Sequence, residues 1–118
     1  NKNVFEMQCD VECKSNIIEK DNRKYINIKI LNNCNILKDL DNFCKSNMKI
    51  YKSFIKNSTD DTVEIFVKLP FRYKRFDIQF NNLMTSETFE IHKSFKCVIK
   101  FGGFVNNESI CFKIVSVY

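Results

Sequence analysis

The sequence predicts an all-β domain, an antiparallel β-sandwich of about seven or eight strands with one short helix, disulfide-bonded and formed by residues 1–118 as a single unit. Three observations carry this expectation. Apolar residues alternate with polar ones in run after run, with turn-forming residues between them and no βαβ alternation. Ala and Trp are absent while Ile, Val, Phe and Tyr abound, so helix propensity is low and strand propensity high. Six cysteines, an even number in a chain of 118 residues, suit a disulfide framework.

Taken in order, Val4 to Cys9 sets Phe5, Met7 and Cys9 on one face and Glu6 and Gln8 on the other, which predicts a first strand. Asp10 to Arg23 is polar and reads as a long loop or short strand tied down at Cys13. Tyr25 to Leu31 turns Ile26, Ile28 and Ile30 inward. From Asn32 to Lys45 the spacing changes to three and four residues (Ile36, Leu40, Phe43 or Cys44), which predicts a helix with Asn35 as its cap. Met48 to Ile55 reads as a strand, Asn57 to Asp61 as a turn, and Val63, Ile65, Val67 and Leu69 as the inward face of a strand stopped by Pro70. Phe71 and Tyr73 lie out of phase with Phe76, Ile78 and Phe80, so a β-bulge or strand switch is expected near Arg75. After a turn at Asn81-Asn82 and a short strand around Phe89 and Ile91, Lys93 to Tyr118 forms a terminal hairpin reversing at Gly102-Gly103.

The charge of +5 comes from lysines spread along the strands and reads as a solubilising surface. Catalysis is not expected. No nucleophile is set beside a base, and His92 is the only histidine. Neither cofactor nor metal is expected, because Cys9 and Cys13 form the only close cysteine pair and no second knuckle follows. Cys9, Cys13, Cys34, Cys44, Cys97 and Cys111 are instead expected in bridges whose pairing stays open, a Cys97–Cys111 link being doubtful because the two lie on different faces of the hairpin. Two sequons place candidate glycans at Asn57 and Asn107. The run Phe71 to Phe76 is basic and aromatic, and its Arg72, Lys74 and Arg75 are candidates for contact with an anionic cell surface. Nucleic acid is not expected as a partner, because disulfides and nucleic-acid work rarely share a compartment. Disulfides imply an extracellular location, and no apolar run approaches the ~18 residues of a membrane span. The chain therefore reads as an ectodomain excised from a larger, membrane-anchored protein.

Two fragments, "VFEMQC" and "FEIHKSFKCVIKFGGFVNNESICFKI", resemble the third, Ig-like domain of the Hapless-type class II gamete fusogens, and the residue usage is similar to that of malaria-parasite proteins. The matching elements are the opening strand ending in Cys9, then Phe89-Glu90-Ile91 and Cys97-Val98-Ile99-Lys100-Phe101. The resemblance implies an Ig-like sandwich that relocates and docks during membrane fusion. Its partners would be other domains of the same fusogen and its trimer mates, and other parts of the parent protein would touch the membrane. Cys13, Cys34 and Cys44 depart from the plant and algal pattern. The segment "FKCVIKF...ESICFKIVSVY" is also similar to the last two strands of the ML lipid-recognition family, which implies the alternative of a secreted lipid carrier; an adhesion module is a further alternative.

Overall fold

The computed structural model describes residues 5–118. Ten strands and one α-helix follow one another as β1 (Glu6–Cys13), β2 (Ile18–Lys20), β3 (Arg23–Ile30), α1 (Cys34–Asn47), β4 (Ile55–Ser58), β5 (Val63–Leu69), β6 (Phe71–Arg72), β7 (Arg75–Phe76), β8 (Gln79–Phe80), β9 (Ser94–Val105) and β10 (Ser109–Val117). A 3-10 turn at Ser86–Thr88 precedes β9. Strands dominate, as the composition leads one to expect.

The five long strands are linked by a ring of ladders. β1 pairs antiparallel with β3 and with β9, β9 with β10, β10 lies parallel to β5, and β5 pairs antiparallel with β3. Such a circuit leaves no long strand with an unpaired edge. The short strands β2, β4 and β8 flank β3, β5 and β10, and β6 and β7 form a separate ribbon. All the long strands thus belong to one eight-stranded sheet, where the sequence reading expects two packed sheets.

Period-2 alternation fills the interior. Val11 and Cys13 from β1, Ile26, Ile28 and Ile30 from β3, Val63, Ile65, Val67 and Leu69 from β5, Cys97 and Ile99 from β9, and Phe112 and Ile114 from β10 are all buried. Phe112 is the central ring, with Phe5 at 5.5 Å and Phe54 at 5.0 Å between centroids. One end is closed by Phe89, whose ring meets Phe76, Phe80 and Phe95 edge-on or tilted at 5.7 to 5.8 Å.

The helix begins before its expected Asn35 cap. Asn33 precedes it in left-handed backbone with no side-chain capping bond, and Cys34, Leu37, Asp41 and Cys44 form the buried stripe. Of the strand expected over Met48 to Ile55 only Ile55 is in a ladder, because Tyr51 and Ser53 turn their side chains back to bond Asp41 in the helix; β4 starts at Ile55 and runs on through Asn57 and Ser58, where a turn is expected. Phe89 and Ile91 lie just beyond the 3-10 turn rather than in a strand, and Phe89 acts as the plug just described. The phase change near Arg75 is a tight turn at Tyr73-Lys74, not a bulge. The bulge occurs at the glycines. β9 runs through Gly102 and Gly103, the register slips opposite Cys111 and Phe112, and the chain reverses further on at Asn106-Asn107.

The disulfide framework is not formed. All six cysteines are free thiols, and the facing pair Cys9 and Cys97 has its sulfurs 3.8 Å apart, a hydrogen-bond distance. Cys97 faces Cys9 and Val117, while Cys111 faces Gly103, so Cys97 and Cys111 are not partners. Cys34 donates to the carbonyls of Ile30 and Asp61 at 3.2 Å each. Buried thiols here act as small apolar side chains with a weak donor.

Candidate functional site

Two large rings break the polar side of the amphipathic strands. Tyr25 of β3 and Phe66 of β5 point away from the core, because Ile26 and Ile28 on one strand and Ile65 and Val67 on the other hold the inward phase. The register sets Tyr25 opposite Lys68 and Asn27 opposite Phe66, so the rings are diagonal neighbours. They stack at 4.7 Å with 15° between their planes, and Lys56 Nζ lies 5.9 Å from the centre of the Phe66 ring.

These rings line a cleft of about 610 Å³. The β2–β3 turn supplies one side with Lys20, Asp21 and Arg23. Its reversal uses left-handed backbone at Asp21 and Asn22, residue types that tolerate it in a two-residue hairpin. The β9–β10 tip supplies another side with Phe104, Asn106 and Glu108. Gly103 at φ 113° bends this arm, and at Gly102 a side chain would meet the Cys111 carbonyl at 3.2 Å. The third side is the segment around Lys52 and Lys56, tied to the tip by a hydrogen bond from the Lys52 N–H to the Glu108 carbonyl at 2.7 Å.

Charge is distributed unevenly over the outer surface. On β1 and β9, Glu6 faces Lys100 and Asp10 faces Lys96, so the two signs cancel. Around the cleft, Lys20, Arg23, Lys52 and Lys56 outnumber Asp21 and Glu108. Lys68 and Lys113 are register partners on the parallel strands beside it, a like-charge juxtaposition that costs folding energy. Burial pushes the Cys111 thiol up, while Lys68 and Arg23 pull the other way. The cleft thus combines two stacked aromatic rings with an excess of cations.

The residues singled out from sequence lie elsewhere. Arg72, Lys74 and Arg75 are exposed on the β6–β7 ribbon. Asn57 is exposed in β4 and donates to Glu64 at 3.3 Å, and Asn107 is exposed in the β9–β10 turn beside the cleft. His92 is exposed in left-handed backbone, its N–H bonded to the Cys13 carbonyl. Tyr25, Phe66, Phe104 and the four cleft cations are absent from that set. The available signal is phase: a large aromatic residue on the polar side of a clean alternation. Among the described residues no three His, Cys, Asp or Glu side chains converge as metal ligands would, and no helix is long and apolar enough to cross a membrane. No protein-family model, curated protein or solved structure matches the chain.

Proposed function

We propose that the chain is a binding module for single-stranded nucleic acid, its ring of ladders being a five-stranded Greek-key barrel. Counting the ring strands along the chain, the first pairs with the second and fourth, the second with the third, the third in parallel with the fifth, and the fourth with the fifth. That is the connectivity of the OB-fold, which takes oligonucleotides or oligosaccharides on its second and third strands and the loops after the first and fourth. One feature departs from the usual form: α1 follows the second ring strand rather than the third.

The observation that carries the reading is the coincidence of this face with the basic-aromatic cleft. Tyr25 and Phe66 stand on the second and third ring strands, Lys20 and Arg23 flank the β2–β3 turn between the first and second, and Phe104 stands near the end of the fourth, beside the turn that follows it. Stacked aromatic rings amid an excess of cations suit bases and phosphates together, whereas a neutral sugar has no use for the cations. Disulfides are the ground on which the sequence speaks against nucleic acid, and the thiols here are free.

Fluorescence anisotropy of a labelled oligothymidylate, titrated with the protein at several salt concentrations, tests the proposal. Binding is expected to weaken steadily with salt, and Phe66→Ala is expected to weaken it about 5- to 150-fold, the equivalent of roughly 1–3 kcal/mol for one stacked base. Absence of binding at low salt would overturn the reading. Equal binding of a sulfated oligosaccharide, indifferent to Phe66→Ala, would move it to an anionic glycan. The fusogen-module and lipid-carrier readings have the terminal sequence fragments as their support and expect no oligonucleotide binding at all.

A further inference from the structure

The β6–β7 ribbon has no part in the cleft, yet its composition is hard to explain by stability. Its turn holds Tyr73 at φ 54° and Lys74 at φ 64°, the left-handed pair of a two-residue hairpin, where Asn and Gly are the favoured residues. Tyr73 is 87% exposed, and Phe71 and Phe76 beneath it pack edge-on at 5.0 Å. A large ring is thus held out in water on strained backbone, between Arg72, Lys74 and Arg75, all exposed. Left-handed backbone at a bulky residue, shared here by Leu83 at φ 63°, is an outlier of the kind that clusters at functional sites.

The ribbon also adjoins the cleft. Arg23 and Tyr25 line the cleft, and Lys24 between them reaches the ring of Phe71, with Nζ 4.7 Å from its centre. Lys24 projects from the face of β3 opposite Arg23 and Tyr25 and is paired with Glu19 at 2.6 Å, so the ribbon lies next to the cleft around the Arg23 end of that strand. Resting on the reading of the cleft as a nucleic-acid site, we infer that the ribbon is a second contact for the same single strand. Tyr73 stacks on a base that has left the cleft, and Arg72, Lys74 and Arg75 neutralise phosphates around it. The fold then occupies a longer stretch of nucleic acid than the cleft alone accommodates.

The test compares oligonucleotides of about 6 and about 16 nucleotides, near the two ends of the range for one such fold. Oligothymidylate and oligouridylate are both used, to separate DNA from RNA as the source. Tyr73→Asn is the informative variant, because Asn suits left-handed backbone and the turn should be at least as stable as before. It is expected to weaken binding of the longer oligonucleotide roughly 5- to 150-fold and leave the shorter one unchanged. Replacing Arg72, Lys74 and Arg75 together by Gln should lower the salt slope for the longer oligonucleotide by about 2, from ~0.7 per phosphate contact on a single strand. Equal losses at both lengths, or none at either, overturn the second contact while leaving the cleft in place. Failure of the unmodified protein to bind either length overturns both readings.

Discussion

Asp41 is the buried charge on which the helix and one wall of the cleft both depend, and a mutant cycle on it gives a quantitative expectation. Its side chain is only 5% exposed. It accepts from the Tyr51 hydroxyl at 2.5 Å and from the Ser53 hydroxyl at 2.9 Å to either oxygen. Ser53 has one proton to give, so two donors count, each worth about 1.5–3 kcal/mol to a charged acceptor. The ion pair with Lys45, at 3.3 Å, adds little because the lysine is 55% exposed. After the cost of burying the carboxylate is set against these bonds, Asp41→Ala should lose about 2–4 kcal/mol. Tyr51→Phe removes one donor and should lose about 1–2 kcal/mol, with a coupling of similar size between the two substitutions. Urea denaturation monitored by circular dichroism reads these losses as midpoint shifts at constant slope. A spectroscopic check runs in parallel. Burial foremost, then the hydrogen bond and charge of Asp41, raises the Tyr51 phenol far above its ordinary value of 10.0, so Asp41→Asn should let Tyr51 ionise at lower pH. A loss below ~0.5 kcal/mol for Asp41→Ala, or no coupling to Tyr51, would contradict the role given to this carboxylate.

Three further outcomes follow from particular residues. Burial raises the Cys13 thiol from 9.0 to about 11, so the unfolded chain releases this proton first: the thiol's contribution is intact below pH 9.0 and is lost as the pH climbs through about 11. The loss amounts to roughly 2–3 kcal/mol, and urea midpoints across that window should fall less steeply in Cys13→Val. Gly103→Ala places a side chain on backbone at φ 113° and should cost about 1–3 kcal/mol, with calorimetry showing the lowered melting temperature; an unchanged value would contradict the bent arm. Thiol titration in denaturant should count all six cysteines without reductant, and in the native protein the half-buried Cys111 should react before the five buried ones.

Where one face of an element is buried, the sequence makes it legible. The alternations Ile26-Ile28-Ile30 and Val63-Ile65-Val67-Leu69 correspond to β3 and β5; a helix stands where the three-and-four spacing predicts one, but its buried stripe is Cys34, Leu37, Asp41 and Cys44, while Ile36 and Phe43 of the expected face are exposed. Pairing partners are not legible, because alternation specifies an inward face and says nothing of which strand lies alongside. The ring therefore cannot be told from two stacked sheets. Local patterns mislead where long-range bonds decide the backbone: Tyr51 and Ser53 answer to Asp41, and Phe89 is drawn inward by Phe76, Phe80 and Phe95. Cysteine parity points to bridges, and alternation already sets Cys111 off the core face, but only packing reveals that Cys34 finds carbonyls. Of the candidate site, the ribbon cations are visible as a contiguous run. The cleft is not, because Tyr25, Phe66 and Phe104 come from three separate strands.

The pairing of β1 with β9 also sets a timetable for synthesis. Cys9 and Cys97 face each other across 88 positions of sequence. While a ribosome makes the intervening chain, at about 5–20 residues per second, β1 waits roughly 4–18 s for that partner. Through that interval Met7, Cys9 and Val11 have no wall to pack against on the β9 side, so the nascent chain carries an apolar strand edge that chaperones would recognise. The β9–β10 hairpin is local and forms quickly once made, so closure comes as a late, nearly all-or-none event. The cleft shares that schedule, because its Phe104 arm is part of the last hairpin: a chain still short of β10 has neither a finished core nor a complete cleft.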